Sequence, residues 1–292
     1  MTSITSIPQE LIDKIIDQLH TDQDTLKACA VVSRSFLSPS RRHLYYSIDL
    51  GDSFTISVQR SLQKLYDILK SHPDIASLIR EFHILLVRGP AIFTDWIEED
   101  VLLQGILGMT QLQLLSLNGT VYHSTDMWDD IPINIQSAVL QCFQSPTLTE
   151  VRLNCIGTLP TSVIATLTHV RRLSLRFFAF RDDLQTESSN TPTKSLEHLE
   201  ALDLGMCGKP LPETVSFLVQ KLRLLSIGSC DSRTLTSAQT VISSGHLITT
   251  VIWTYCNVEN SRKCYRDRFL DWPTNANIEN NSCGDDKVGY DP

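Results

Sequence analysis

The chain has 292 residues, 42% of them hydrophobic and 20% charged, and a net charge of −8. That is ordinary for a globular chain, and the length allows one large domain or a small module with a larger one. The acidic balance argues against general affinity for nucleic acid or anionic membrane, although a local basic patch stays open.

The opening residues Met1 to Ser6 lack the basic stretch and apolar core of a secretory leader, and no apolar run approaches the roughly 18 residues of a membrane span. The eight cysteines, scattered from Cys29 to Cys283, include no C-x-x-C pair. The expectation is a chain of the reducing cytosol or nucleus with free thiols.

Pro8 suits a helix start, because its φ is fixed and its missing N–H is not needed there. Leu11, Ile12, Ile15, Ile16 and Leu19 then recur at helical spacing and make one wide apolar stripe. A polar turn follows from His20 to Asp24, where Asp22, Asp24 or Thr25 can cap a second helix. That helix would place Leu26, Cys29, Ala30 and Val31 or Val32 on its apolar side. Ser38-Pro39 reads as the cap and first residue of a third helix, which carries Leu44 and ends in Tyr45, Tyr46, Ile48 and Leu50. Three short helices make a thin core, and these apolar residues outnumber what it can hide. A neighbouring domain or a partner must cover the surplus.

The run Ile7-Pro8-x-Glu10-Leu11-x-x-x-Ile15-Ile16-x-x-Leu19, then Leu26-x-x-Cys29-x-x-Val32-Ser33-Arg34-x-Phe36, then Arg41-Arg42-x-Leu44-Tyr45, resembles the F-box, in the form common in fungi. Ile7 stands where leucine is usual, and Phe36 where tryptophan is usual; both keep an apolar side chain. The resemblance implies contact with the Skp-family linker of cullin–RING ubiquitin ligases. By motif position that contact would use Ile7, Pro8, Leu11, Ile15, Ile16, Leu19, Leu26 and Val32, some of which must also serve the module's own core.

Farther along, the spacing apolar-x-x-apolar-x-apolar occurs seven times. It appears as Ile79/Phe82/Ile84, Leu112/Leu115/Leu117, Leu148/Val151/Leu153, Val170/Leu173/Leu175, Leu199/Leu202/Leu204, Leu222/Leu225/Ile227 and Ile248/Val251/Trp253. The last four residues of each unit alternate as a strand does. Intervals between middle positions are 33, 36, 22, 29, 23 and 26 residues, so the two longest imply insertions. Helical stripes fall between the strands: Leu62/Leu65/Ile68/Leu69, Ile97/Val101/Leu102, Ile135/Ala138/Val139/Phe143, Val163/Ile164/Leu167, Val215/Leu218/Val219/Leu222 and Leu235/Ala238/Ile242. Cys207, Cys230 and Cys256 each sit three residues past a unit's last apolar position. The pattern resembles leucine-rich repeats of the cysteine-bearing class, which implies a curved solenoid with parallel strands on its concave side. Converging thiolates would be needed for a metal, and stacked repeats hold equivalent cysteines apart, so no metal is expected.

The predicted organisation is α/β: a small all-α module over 1–50, a connecting helix or linker over 51–74, and an irregular leucine-rich-repeat solenoid over 75–256. Residues 181–195 read as a polar surface loop and 257–292 as a loose polar tail. On the strand face opposite the buried positions, Arg152, Arg172 and Arg176 form a basic centre, with Asp203 and Leu224 beside it. Those residues are the candidate target surface, and the arginines would either meet an acidic partner or pair with Glu150 and Asp203.

No phosphate-binding loop, nucleophile elbow or H-E-x-x-H helix occurs, and no cofactor is expected. The expected role is therefore a non-catalytic substrate-recognition subunit of a Skp–cullin–F-box ligase, cytoplasmic or nuclear. Its alternatives are an F-box scaffold that directs no degradation, or a repeat protein whose N-terminus is only a cap.

Overall fold

The computed structural model describes residues 7–50, 56–86, 109–119, 127–131, 133–181, 196–207, 221–228, 232–244, 247–253 and 277–280. Three helices come first: α1 (Gln9–Asp17), α2 (Gln23–Val32) and α3 (Arg34–Leu44). Strands and further helices follow. They are β1 (Ser47–Leu50), α4 (Ile56–Ser71), a 3-10 turn (Pro73–Leu78), β2 (Glu81–Leu86), β3 (Leu114–Gly119), α5 (Met127–Asp130) and α6 (Ile133–Phe143). After them come β4 (Glu150–Pro160), α7 (Thr161–Ala165), β5 (Arg172–Arg181), β6 (Ala201–Cys207), β7 (Leu224–Ile227), α8 (Ser232–Ser244), β8 (Thr250–Trp253) and β9 (Asn277–Asn280).

All the described strands lie in one sheet in chain order, and every neighbouring pair is parallel. The described helices α4, α6, α7 and α8 join one face of the sheet in a single cluster, as right-handed crossovers between successive parallel strands do. Burial follows that rule. Phe82 and Ile84, Leu115 and Leu117, Val151 and Leu153, Leu173 and Leu175, Leu202 and Leu204, and Leu225 and Ile227 are all buried. The residues alternating with them make the opposite face, which is open over β4 to β7, while Leu114 and Ser116 of β3 are themselves buried. The predicted middle positions Phe82, Leu115, Val151, Leu173, Leu202, Leu225 and Val251 are direct register partners from strand to strand.

Helical stripes complete this core. Leu65 on α4, Ile135, Ala138, Val139 and Phe143 on α6, Val163 and Ile164 on α7, and Leu235, Ala238 and Val241 on α8 join one cluster with the strands. Of the loop expected over 181–195, Arg181 ends β5 instead, and the rest lies outside the described residues, as do Cys230, Cys256 and the stripes expected around Ile97 and Val215.

Three expectations change. Ser47–Leu50 belongs to the sheet rather than to the helical module, so α4 is a crossover between paired strands rather than a linker. Tyr45-x-x-Ile48-x-Leu50 carries the same spacing as the later units, one unit earlier. The polar tail contributes a strand, since Thr250 to Trp253 pairs with Asn277 to Asn280. Third, Pro39 lies inside α3, which starts at the cap Ser33. A proline in a helix interior strands the carbonyl four residues earlier, here that of Ser35. Gln9 of α1 donates its side-chain N–H to that oxygen at 3.0 Å. The hydrogen bond Pro39 cannot make is thus replaced by one between helices.

Among the described residues no helix is long and apolar enough to cross a membrane. Cys29, Cys142 and Cys155 form no disulfide, and burial pushes the pKa of the Cys142 thiol up to about 11.

Candidate functional site

Two surfaces stand out, one on the helical module and one on the open face of the sheet. The module has its own small core, separate from that of the sheet: Ile12, Ile16 and Leu26, with Leu19, Cys29, Phe36 and Leu44 against it. Its three helices are tied locally. Asp22 caps α2 by accepting from the Thr25 backbone N–H at 3.0 Å and from the Thr25 hydroxyl at 2.7 Å. Those bonds, the hydroxyl first, hold the Asp22 carboxyl below its ordinary value of 3.8. His43 near the end of α3 meets Asp17 at the end of α1 at 2.7 Å.

This tight arrangement splits the apolar stripe of α1. Ile12 and Ile16 turn inward at 1% and 0% exposure, while Leu11 and Ile15 remain 49% and 52% exposed. Residues four apart share a helix face, so the two pairs form two parallel rows. Ile7, just before α1, is 40% exposed, and Val31 and Val32 at the end of α2 are 85% and 66% exposed. Of the eight residues expected at a linker contact, Ile7, Leu11, Ile15 and Val32 are apolar and open, and Pro8 is also exposed. Leu19 is half-buried. Ile16 and Leu26 are corrected: both are fully buried inside the module, so neither offers a surface to a partner. Val31, the most exposed of the apolar set, has only its position at the end of α2 to mark it in the sequence.

On the open face, Glu150, Arg152, Arg172, Arg176, Asp203 and Leu224 border a groove of about 370 Å³ across β4 to β7. The predicted residues therefore meet at one place, but the arginines are not an unopposed basic centre. Glu150 Oε1 accepts from Arg152 Nε at 2.7 Å and lies 2.5 Å from its Nη2. Arg176 donates through Nε and Nη2 to Asp203 Oδ2 at 2.9 and 2.6 Å, and Ser174 adds its hydroxyl at 2.9 Å. Arg172 is held far more loosely, with Nη1 3.9 Å from Glu150 Oε2 and its side chain 73% exposed. Three guanidiniums thus face two carboxylates across the groove.

The strand ends beside the groove are shaped by a bulge. The register between β4 and β5 slips between Asn154 and Gly157. Cys155, Gly157 and Phe177 take φ values of 56°, 74° and 51° there. A left-handed conformation costs a non-glycine residue on the order of 1–2 kcal/mol. The bulge turns the chain so that Phe177 is 43% exposed while Phe178 returns to the core at 2%. Asn154 donates to Asn118 at 2.7 Å, and Asn118 to Ser116 at 3.2 Å, which ties β3 to β4 along this edge.

Among the described residues no group of three or more His, Cys, Asp or Glu could hold a metal ion. No protein-family model matches the chain, and no curated protein matches it.

Proposed function

We propose that the chain is a substrate-recognition subunit of a Skp–cullin–F-box ubiquitin ligase, cytoplasmic or nuclear. In this reading α1 to α3 are an F-box that grips the Skp-family linker. The parallel sheet and its helices are a leucine-rich-repeat solenoid that holds a protein target on the open face. The chain supplies no active site. It raises the local concentration of its target near a charged conjugating enzyme, so that transfer becomes effectively intramolecular.

One observation carries the reading. A three-helix module of some forty residues buries Ile12, Ile16 and Leu26 yet leaves Leu11, Ile15, Val31 and Val32 at 49% to 85% exposure. Covering each such side chain is worth roughly 1–3 kcal/mol, and a partner helix or groove can collect that energy. Apolar side chains clustered on one small module, rather than scattered singly, mark an interaction site.

The test is co-purification of the full chain with a Skp-family linker, wild type against the double variant Leu11→Ala, Ile15→Ala. Central anchors contribute roughly 1–4 kcal/mol, so capture should fall about tenfold or more. A wild-type chain that does not bring down the linker ends the proposal. Cullin-dependent turnover of captured proteins then separates a degradative receptor from a scaffold.

A further inference from the structure

We infer that the open-face groove takes an extended peptide segment bearing a single carboxylate side chain, which pairs with Arg172, and an apolar side chain that rests on Leu224. This rests on the reading of the open face as the target surface, and it adds what that surface selects.

The argument starts from which guanidinium is available. Arg152 is clamped by Glu150 through two nitrogens, at 2.7 and 2.5 Å. Arg176 is clamped by Asp203 through two nitrogens, at 2.9 and 2.6 Å. Its stem also lies over Gly205, whose added Cβ would come within 2.9 Å of Arg176 Cγ. Arg172 alone of the three has a carboxylate no nearer than 3.9 Å, and it is the most exposed. A planar guanidinium so placed suits a carboxylate.

The charge count sets how many. With Glu150 and Asp203 already facing the three arginines, one added carboxylate makes the groove neutral. A second acidic group, or a dianion such as a phosphate ester, would leave a net negative groove and lie close to Glu150. Like charge at that range is repulsive, so the groove selects against it. Glu150 therefore acts as a specificity residue: it sets the limit at one.

Register supplies the spacing. Arg172 pairs with Ala201, and Ala201 with Leu224, so Arg172 and Leu224 stand two strands apart along one row. Two strand spacings are roughly 10 Å, about one three-residue turn of polyproline II, which returns side chains three positions apart to the same face of the peptide. The fitting segment carries its acid and its apolar residue three positions apart. Ala201 between them is small enough for a peptide backbone to pass.

The experiment uses the full chain and three fluorescein-labelled octapeptides on a Gly/Ser background, read by anisotropy up to millimolar peptide. The first carries Glu and Leu three positions apart, the second has Gln for Glu, and the third carries a second Glu beside the first. Wild type should bind the first at least tenfold more tightly than the second and gain nothing from the third. Arg172→Ala should lose the preference for the first over the second. Glu150→Gln should make the third peptide bind at least fivefold more tightly than the first. Circular dichroism and urea unfolding verify that both variants fold; because both side chains lie on the open face, little change is expected. No binding by wild type, equal binding by Arg172→Ala, or tighter binding of the two-acid peptide by wild type would each overturn the inference. Linker co-purification, measured on the same preparations, reports on α1 and α2 separately. A failed groove therefore leaves the adaptor proposal standing, and a failed linker capture is recognised as such.

Discussion

Ile15 and Ile16 are chemically identical neighbours that should respond in opposite ways to the same truncation. Ile16 is 0% exposed and belongs to the three-residue core of the helical module. Cutting it to alanine removes buried methyl and methylene groups and leaves a void, which costs roughly 2–5 kcal/mol. Ile15 is 52% exposed. It has only half its apolar area to lose within the chain, so Ile15→Ala should cost about 0.5–1 kcal/mol. The module's core shares no residue with that of the sheet. The loss at Ile16 should therefore appear in amide exchange of α1 to α3 while β4 and β5 stay protected. In linker capture the order reverses at the level of mechanism. Ile15→Ala should weaken binding with the fold intact, and Ile16→Ala should weaken it only by unfolding the module. Comparable destabilisation by the two variants would refute the assignment of inner and outer rows on α1. So would undiminished capture by Ile15→Ala.

Two further outcomes follow from local geometry. Gly205→Ala places a Cβ 2.9 Å from Arg176 Cγ and must shift the Arg176 stem away from Asp203. A urea midpoint lower by the equivalent of about 1–2 kcal/mol is expected, and an unchanged midpoint would show that the stem yields freely. Asp22 has its folded pKa below the ordinary 3.8, so its cap stabilises α2 above that value and is lost as pH falls through the folded pKa. The protection factor of the Thr25 amide, its exchange rate relative to the intrinsic rate at the same pH, should fall in that acid range, and Asp22→Asn, which keeps the acceptor oxygen, should remove the pH dependence.

Particular residues show what could be read beforehand and what could not. The strand register was legible because burial has a period of two, and a shift by one residue would expose Phe82, Leu115 and Val151 together. β9 was hidden because Ile278 is the only strongly apolar residue among Asn277–Asn280. β1 carries the repeat spacing, but it follows α3 so closely that its apolar residues read as a helix end. On local grounds Pro39 reads as a helix start. The hydrogen bond that allows it inside α3 comes from Gln9, 26 residues before Ser35 in sequence. Nothing within a turn of the proline announces that compensation. On α1, helical spacing identifies one wide stripe, yet only the packing of α2 and α3 decides that Ile16 is inside and Ile15 outside. The pairing on the open face is intermediate: Glu150 and Arg152 share a face by alternation, whereas Arg176 reaching Asp203 depends on the register of β5 with β6.

Among the described residues, β4 and β5, bent by the bulge, make the longest pair in the sheet. Past the bend they resume pairing from Gly157/Phe178 to Pro160/Arg181, whereas β7 and β8 run together only from Leu224/Thr250 to Ile227/Trp253. In a stack where each unit leans only on the next, cohesion is a sum of neighbour terms, so such a chain frays from its thin end inward. The groove over β4 and β5 sits at the thickest rung of that ladder. It would keep its shape while the carboxyl-terminal rungs breathe, so a ligand held there need not wait for the outer units to close.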